Sequence, residues 1–420
     1  MAKNNKIRVR IAPAPTGTLH IGTARTALFN FLFAKKNKGS FIVRIEDTDK
    51  QRSKKEYEKD ILDSFEWLGL KWDELYKQSQ RTKIYEKYLK KLLDSGKAYK
   101  KEIIWFKTPK KKIIFYDLIR GKIEVDGSEI EDFSIAKDLK NPLYNFAAVV
   151  DDYEMKISHV IRGEDHIPNT PKQILIYEAL GLKPPQFAHL PLILGPDRSK
   201  LSKRHGAVAV SDYRKQGYLP EALINFMALL GWNPGDDREF FSLKDLTKEF
   251  SLEKIQKGGA VFNIIKLDWF NGYYIRKIPR EKLIKLCLPY LPKKTPFEKN
   301  KLGKIISLEQ GRMKKLSEVG ELSDFFFKEP KYKGSLLKWK NMTKKEIINS
   351  LNKLEEILSK SRIGETKKIL LKAENRGELL WPLRVALSGK KASPDPFEIA
   401  EILGKKKTLK RIKKAKSLVK

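Results

Sequence analysis

The chain has 420 residues, 41% hydrophobic and 10% aromatic, which is enough apolar material for a folded protein and enough length for about two to four domains. No apolar run approaches the roughly 20 residues of a membrane span. The segment Met1–Lys6 is polar and lacks the apolar core of a signal peptide. These features argue against membrane insertion and secretion and favour a cytoplasmic protein.

The net charge is +35, with 87 basic residues against 52 acidic ones, and it predicts a polyanionic partner. Nucleic acid is favoured, and a general lysine bias is the alternative. Arginine is scarce beside lysine, so each arginine is a candidate for bidentate recognition of carboxylate or phosphate. The single cysteine, Cys287, lies in an apolar run and is expected to be buried. One cysteine excludes an internal disulfide and a cysteine-based zinc site.

The first elements in chain order are a strand, a turn and a helix. Apolar and basic residues alternate over Ile7–Ile11, which predicts a strand, and Ala24–Lys36 has the apolar face of a helix. The turn Pro13–Gly22 between them contains glycines and His20. Such a turn directs backbone N–H groups and the positive end of a helix at an anion. The sequence therefore predicts binding of a phosphorylated ligand here.

A second strand is predicted over Phe41–Ile45, and the acidic cluster Glu46–Asp49 follows it directly. Charged amphipathic helices are predicted over Lys54–Leu68 and Thr82–Leu93. From about Gln78 to Asn141 the pattern becomes irregular and strand-rich, which indicates an insertion.

Alternating α and β character resumes with Tyr144–Val150, and a strand is predicted over Met155–Ile161 with the polar cluster Arg162–His166 at its end. A helix is predicted from Asn169 to Leu180, and a short apolar run leads to the loop Gly195–Gly206. The rest of the chain is predicted to be mostly helical. The candidate helices are Pro220–Leu230, Leu243–Phe250, Arg280–Leu288, Lys344–Leu358, Thr366–Leu371 and Phe397–Val419, the last broken at Gly404.

Four polar clusters each follow a predicted strand: residues 13–22, 46–49, 162–166 and 195–206. In an open parallel α/β sheet, ligands bind outside the carboxyl ends of the strands. Each cluster alone has an ordinary structural explanation, such as a turn histidine, a solvated acidic loop, an ion pair or surface lysines. Their common position after strands favours one shared site.

Several of these segments resemble known signatures. Residues 13–22, PAPTGTLHIG, resemble the first signature of class I aminoacyl-tRNA synthetases, and residues 200–204, KLSKR, resemble the second. The chain resembles bacterial glutamyl-tRNA synthetases in segments 44–49, 149–152, 161–166, 202–207, 268–272 and 381–389. The resemblance covers nearly the whole chain.

This resemblance implies an α/β fold with a Rossmann-like parallel-sheet catalytic domain, an inserted α/β domain and a largely α-helical C-terminal anticodon-binding region. The implied domains are a catalytic domain at 1–77 and 142–195, a shortened acceptor-stem-binding insertion at 78–141, a stem-contact region with the KLSKR loop at 196–275, and the anticodon-binding region at 276–420.

The resemblance also implies a reaction, in which L-glutamate is activated with ATP and Mg²⁺ and then transferred to the 3′-terminal adenosine of tRNA(Glu). The implied ATP-binding residues are His20, Gly22, Asp165, Lys200, Ser202 and Lys203, of which His20 and Lys203 are catalytic. The implied glutamate-binding residues are Arg10, Glu46, Tyr144 and Arg162. The sequence does not decide which arginine binds which carboxylate, although the family implies that Arg162 takes the γ-carboxylate.

The chain departs from the family pattern in four places, one of which is the segment Lys137–Lys140, where a customary Ser-Asp-Gly turn is lost. Ala14 stands where serine is common, and Leu143 stands where threonine is usual. After Tyr99 the insertion is unusually short and has no cysteine-rich segment, so no zinc is expected. The acceptor-stem contacts are therefore expected to be fewer.

Other interpretations remain at this point. A truncated relative that glutamylates a modified tRNA nucleoside would lack the helical C-terminal region, and a glutaminyl enzyme would have a strand-rich one. A catalytically inactive RNA-binding protein would be expected to lose His20 or Lys203. Charging of tRNA(Gln) besides tRNA(Glu) stays open. A monomer without membrane partners is expected.

Overall fold

The computed structural model describes residues 6–293 and 297–419. The chain divides into two compact units, residues 1–270 and 271–420. Residues 1–5 of the polar N-terminal segment, on which the argument against a signal peptide depends, lie outside the described residues. None of the helices in the described ranges combines the length and apolar composition that a membrane crossing requires.

The described part of the first unit contains the strands and eight complete α-helices. The strands are β1 (Arg8–Ile11), β2 (Ser40–Ile45), β3 (Glu74–Lys77), β4 (Ala98–Lys100), β5 (Ile104–Phe106), β6 (Ile113–Asp117), β7 (Gly121–Val125), β8 (Phe133–Asp138), β9 (Asn141–Pro142), β10 (His159–Gly163), β11 (Gln186–Leu190), β12 (Ile193–Leu194) and β13 (Ala260–Val261). The helices are α1 (Ile21–Lys36), α2 (Lys55–Trp67), α3 (Thr82–Asp94), α4 (Tyr144–Glu154), α5 (Thr170–Ala179), α6 (Val210–Lys215), α7 (Pro220–Ala228) and α8 (Leu243–Glu249), and α9 (Ile264–Arg276) contains the point of division.

A parallel sheet forms the centre of the first unit, as predicted. β1, β2 and β3 pair in parallel in that order, and β10 pairs in parallel with β11. The Ser158 amide donates to the Arg8 carbonyl at 2.9 Å, which places β10 beside β1. β2 is buried along its whole length, as expected for an inner strand of a sheet covered on both faces.

The insertion continues the core of the sheet. β4, β5, β8 and β9 form an antiparallel sheet, whereas the hairpin β6–β7 joins the parallel sheet where Asp117 pairs with Phe187 of β11. Leu89 of α3, Phe106 of β5 and Phe146 of α4 belong to one hydrophobic cluster. The insertion and the parallel sheet therefore share one hydrophobic core. That residues 78–141 form a separate acceptor-stem-binding domain stays a prediction.

The described part of the second unit is helical, as predicted. Its complete helices are α10 (Arg280–Cys287), α11 (Lys299–Glu309), α12 (Val319–Leu322), α13 (Asp324–Phe327), α14 (Lys344–Lys360), α15 (Ile363–Leu371), α16 (Arg376–Ser388), α17 (Pro396–Leu403) and α18 (Lys405–Ser417). Gly404, at φ 82°, separates the last two helices at the predicted break. Cys287 is fully buried, as predicted, and burial raises the pKa of its thiol to about 12.

Several element boundaries differ from the prediction, and two of them lie next to the cluster at residues 162–166 or the turn at residues 13–22. The strand predicted from Met155 begins only at His159, because α4 continues to Glu154 and Met155 is its C-cap. Lys156 then turns the chain with φ 55°. Helix α1 begins at Ile21, before the predicted start, because the His20 side chain caps it.

A buried cluster of charges ties β1 and β2 to α4. The Asp152 carboxylate accepts hydrogen bonds from Arg10 Nε at 3.0 Å and from Arg44 Nη1 at 2.6 Å. Asp151 accepts from Arg81 Nε at 2.7 Å. Burial alone would raise the pKa of Asp152, but the two guanidinium groups outweigh it and lower this pKa. The carboxylate is therefore charged, and its pairing holds two strands and a helix together.

Replacing Arg44 by alanine removes one of the two guanidinium groups that pair with Asp152 and the guanidinium that pairs with Glu46. We expect Arg44→Ala to lower the free energy of unfolding of the first unit by about 3–5 kcal/mol, measured by urea denaturation. Arg52→Ala, which removes an exposed pair with Asp49, is the control and should leave the midpoint unchanged. Equal midpoints for the two variants would contradict a structural role of the buried cluster.

Candidate active site

One cavity of about 470 Å³ lies at the carboxyl ends of β1, β2 and β10. All predicted site residues line it except Ser202 and Lys203. Those in the lining are Arg10, His20, Gly22, Glu46, Tyr144, Arg162, Asp165 and Lys200. The four polar clusters of the sequence therefore meet at one edge of the sheet.

Arg10, on β1, is buried and its charge is paired. Its Nε and Nη2 donate to the two oxygens of Asp152 at 3.0 and 3.3 Å. Only 4% of the Arg10 surface is exposed. The guanidinium is thus held at the cavity wall by a bidentate ion pair, which fixes its orientation.

Arg162, on β10, is equally buried but has neutral partners. Its Nε donates to His189 Nε2 at 3.1 Å and its Nη2 donates to Thr170 Oγ1 at 2.7 Å. Nη1 is buried and makes no hydrogen bond with any described residue. Burial lowers the pKa of Arg162, and the nearby Tyr144 hydroxyl opposes this shift. A buried unpaired donor of this kind favours an acceptor from a ligand.

Glu46 and Tyr144 complete this end of the cavity. The Glu46 amide donates to the Pro13 carbonyl at 3.0 Å, which holds the first turn beside the end of β2. Glu46 Oε1 accepts from Arg44 at 3.1 Å, and burial raises the pKa of Glu46 despite this pair. The Tyr144 hydroxyl lies 3.0 Å from His166 Nδ1. Burial raises the pKa of Tyr144, so its hydroxyl stays protonated and can donate.

His20 and Gly22 lie at the start of α1. His20 Nδ1 accepts from the Gly22 amide at 3.0 Å, so this nitrogen serves as the helix cap and Nε2 remains for a ligand. Burial lowers the pKa of His20, and the positive charge of Lys200 lowers it further, which keeps the ring neutral. A Cβ at Gly22 would lie 3.1 Å from His20 Nδ1, so a side chain there would crowd the cap.

The loop after β12 contributes Lys200 and Leu201 to the lining of the cavity. Lys200 Nζ pairs with Asp165 at 2.8 Å, with both side chains partly exposed. Lys203 begins an exposed turn and has no ion pair among the described residues. Ser202 caps this turn, and its amide donates to His205 Nδ1 at 3.0 Å. Ser202 and Lys203 follow the lining residue Leu201 directly but do not themselves line the cavity.

The segment that follows this loop is joined to the end of the first turn by backbone hydrogen bonds. The Ile21 amide donates to the Val208 carbonyl at 2.8 Å, and the Val210 amide donates to the Leu19 carbonyl at 2.9 Å. The first signature therefore pairs, at His20, with the segment just after the second signature.

Comparison with known proteins identifies the family. The profile for tRNA synthetases class I (E and Q), catalytic domain, matches residues 6–105 and 100–269, and an anticodon binding domain matches 282–416. Glutamate–tRNA ligase 2 of Thermoanaerobacter pseudethanolicus is 43% identical, covering 98% of each chain. The enzyme of Aquifex aeolicus is 42% identical, covering 97% of this chain and 98% of its own. The chain belongs to the class I glutamate–tRNA ligases.

Solved structures agree with this family. A glutamate tRNA ligase from Elizabethkingia meningosepticum, in complex with its amino acid, has a TM-score of 0.87 at 33% identity, covering 99% of this chain and 100% of that one. A glutamate-tRNA synthetase from Elizabethkingia anophelis has a TM-score of 0.87 at 34% identity, covering 98% and 100%. The predicted fold class is therefore confirmed.

The match over 282–416 argues against a truncated nucleoside-modifying relative, because such a protein lacks this region. The helical second unit likewise argues against the strand-rich C-terminal half of a glutaminyl enzyme. The catalytic-domain profile matches in two segments that meet at 100–105, where the sequence departs from the longer family pattern. A shortened insertion fits this observation.

Two buried arginines near the site were not predicted as site residues. Arg25 of α1 lines the cavity and donates to the carbonyls of Pro191 and Leu230. Arg44 holds Glu46 and Asp152. The scarcity of arginine in a lysine-rich chain was the signal that could have identified both. Apart from the Arg44–Glu46 pair, their contacts are with segments distant in sequence, which the local pattern does not contain.

Two substitutions of His20 distinguish the role of Nδ1 as the helix cap from the role of Nε2 in ligand binding. His20→Ala removes the cap and is expected to lower the free energy of unfolding by about 1 kcal/mol. His20→Asn keeps an acceptor for the Gly22 amide and should retain the stability of the wild type. Both variants lose Nε2, so both should raise the Michaelis constant for ATP. Thermal unfolding and kinetics of the two variants check this, and normal ATP kinetics in His20→Asn would contradict a ligand-binding role.

Proposed function

We propose that this chain activates L-glutamate with ATP and transfers it to the 3′-terminal adenosine of tRNA(Glu). The glutamate α-carboxylate attacks the α-phosphate of ATP, which forms glutamyl-adenylate and releases pyrophosphate. A ribose hydroxyl of the terminal adenosine then attacks the acyl carbon, and AMP leaves. The observation that carries the proposal is the pair of buried guanidinium groups, Arg10 and Arg162, on a cavity that also contains the first class I signature.

Arg10, Arg162, Glu46 and Tyr144 form the proposed glutamate end. Glutamate has two carboxylates and one ammonium, so it needs two cationic groups and an acid. We assign the γ-carboxylate to Arg162, because its Nη1 lacks a hydrogen bond in the described part of the chain. Arg10 then binds the α-carboxylate, Glu46 binds the ammonium group, and Tyr144 donates a hydrogen bond to a side-chain oxygen of glutamate.

The opposite end of the cavity is proposed to bind ATP. His20 and Gly22 at the start of α1 offer a helix N-terminus to the phosphates and ribose. Asp165 and Lys200, which line the cavity, and Ser202 of the adjoining loop are assigned to ATP as well. Class I synthetases use ATP with Mg²⁺, and the ion enters as part of this substrate because Mg²⁺ binds mainly phosphates and water with few protein carboxylates.

Lys203 is proposed to meet the negative charge that develops as pyrophosphate leaves. Phosphoryl transfer leaves little covalent work to the protein, so orientation and charge stabilisation account for most of the rate. Lys203 is exposed and unpaired by any described carboxylate, so its ammonium is available for this charge. Neither Lys203 nor Lys200 acts as a general base in this mechanism.

The tRNA is proposed to contact the insertion at 78–141, the stem-contact region at 196–275 and the anticodon-binding region at 276–420. The net charge of +35 and the anticodon binding domain match support a tRNA partner. We propose a monomeric cytoplasmic enzyme. Its catalytic residues come from 1–77 and 142–195, with Lys200, Ser202 and Lys203 supplied by the adjoining loop.

The proposal is tested by ATP–pyrophosphate exchange and by charging with purified tRNA(Glu) and tRNA(Gln). We expect glutamate-dependent exchange in the presence of tRNA(Glu) and formation of glutamyl-tRNA(Glu), with glutamine as the control amino acid. Charging of both tRNAs would show relaxed tRNA specificity. The absence of glutamate-dependent exchange under every condition would exclude a glutamate–tRNA ligase.

Arg162→Ala tests the amino acid assignment. Loss of a buried partner of a carboxylate costs about 3–5 kcal/mol, so we expect the Michaelis constant for glutamate to rise at least about tenfold. Arg162→Lys, which keeps the charge but loses the planar fork, should be intermediate. Steady-state charging at varied glutamate measures both variants, and an unchanged constant in Arg162→Ala would reject the assignment.

A further inference from the structure

Asp117, at the end of β6, is a fully buried carboxylate that the proposed reaction does not use. Its Oδ2 lies 2.6 Å from His189 Nδ1 and 3.1 Å from the His189 amide. Its Oδ1 accepts from the amides of Ile119 and Arg120, both at 2.9 Å. Burial alone would raise the pKa of Asp117, but these hydrogen bonds outweigh it and lower the pKa. Asp117 is therefore an acceptor on both oxygens.

His189, on β11, lies between Asp117 and Arg162. Its Nε2 is 3.1 Å from Arg162 Nε, which can only donate, so Nε2 accepts. Burial lowers the pKa of His189, which keeps the imidazole neutral with a single proton. That proton is on Nδ1 and faces Asp117. The hydrogen bonds thus run from Arg162 to His189 and from His189 to Asp117.

These contacts determine which nitrogen of Arg162 is free. His189 holds Nε, and the Thr170 hydroxyl holds Nη2 at 2.7 Å. Nη1 has no hydrogen bond among the described residues, although the Arg162 side chain lines the cavity. A rotation that exposed another edge of the guanidinium would break both hydrogen bonds.

We propose that Asp117 is a positioning residue for glutamate recognition. It fixes the His189 tautomer that accepts from Arg162, and this keeps Nη1 of Arg162 available to the substrate carboxylate. The inference rests on the proposed function and adds to it a residue of the insertion, two hydrogen bonds away from Arg162.

A purely structural role of Asp117 is the competing explanation, because Oδ1 closes the turn between β6 and β7. The two roles belong to different oxygens of the same carboxylate. Asn is isosteric with Asp and keeps one oxygen for the Ile119 and Arg120 amides. Its amide nitrogen would then face His189 as a donor, and the ring would have to carry its proton on Nε2, opposite the Arg162 Nε–H. Asp117→Asn therefore disturbs the tautomer more than the turn.

The test is steady-state charging of tRNA(Glu) by the full chain, with glutamate and ATP varied separately. Asp117→Asn should raise the Michaelis constant for glutamate by about fivefold or more, because a buried donor of Arg162 loses its acceptor. kcat and the constant for ATP should stay within about twofold of wild type. Thermal unfolding of each variant reports any general loss of structure.

Two variants of His189 test whether the acceptor at Nε2 is what Arg162 requires. Gln can place a carbonyl oxygen where Nε2 accepts from Arg162, whereas the shorter Asn cannot reach it. We expect His189→Asn to raise the Michaelis constant for glutamate by about fivefold or more. His189→Gln should keep this constant closer to the wild-type value.

Arg120 provides the control on the same turn. It contacts Glu164 and the Lys257 carbonyl, and neither contact includes Arg162. Arg120→Gln should leave the glutamate constant within about twofold of wild type. The positioning role would be overturned if Asp117→Asn left the Michaelis constant for glutamate unchanged. It would also be overturned if this variant raised the Michaelis constants for glutamate and ATP in parallel and lowered the unfolding temperature.

Calorimetric titration of the full chain with glutamate keeps the two proposals distinguishable. Wild-type binding without any charging would overturn the proposed function, while weaker binding by Asp117→Asn would still support the positioning role. If wild type and Asp117→Asn bound glutamate with equal affinity, the positioning role would be overturned, whatever the charging activity.

Discussion

The first unit depends on one buried helix segment that carries two adjacent carboxylates. Asp152 binds both Arg10 of β1 and Arg44 of β2, while Asp151 binds Arg81 before α3. Removing these charges from water is costly, and only their mutual pairing offsets that cost. The same pairing determines where the carboxyl ends of two strands lie and how Arg10 is oriented. The site geometry is therefore a consequence of the core electrostatics.

The sequence predicts the position of the site because of a rule of parallel sheets. Glu46 and Arg162 are separated by more than a hundred residues, yet each lies at the carboxyl end of a strand, and this alone places both at one edge. Helices with clear amphipathic periodicity were likewise predicted to within a few residues. The strand predicted from Met155 was misplaced because nothing in the local pattern shows that α4 continues to Glu154.

What the sequence could not supply is the set of partners that orient each group. His189 contacts Asp117 across a separation of 72 residues, and Arg10 contacts Asp152 across 142. Neither pair has a recognisable spacing, because side chains on separate strands or helices meet only after the sheet has formed. Residue type can nominate Arg162 for carboxylate binding, but only its neighbours show which of its nitrogens is free.

The surroundings of the two arginines also explain how one cavity could treat two carboxylates differently. Arg10 is neutralised by Asp152, so a ligand carboxylate there adds to an ion pair that already exists. Arg162 contacts only the neutral groups of His189 and Thr170 through its hydrogen bonds, and no described carboxylate pairs with it. A buried cation without a directly paired carboxylate favours a charged carboxylate over a neutral amide of the same shape. Discrimination between glutamate and glutamine is therefore expected to depend on Arg162 more than on Arg10.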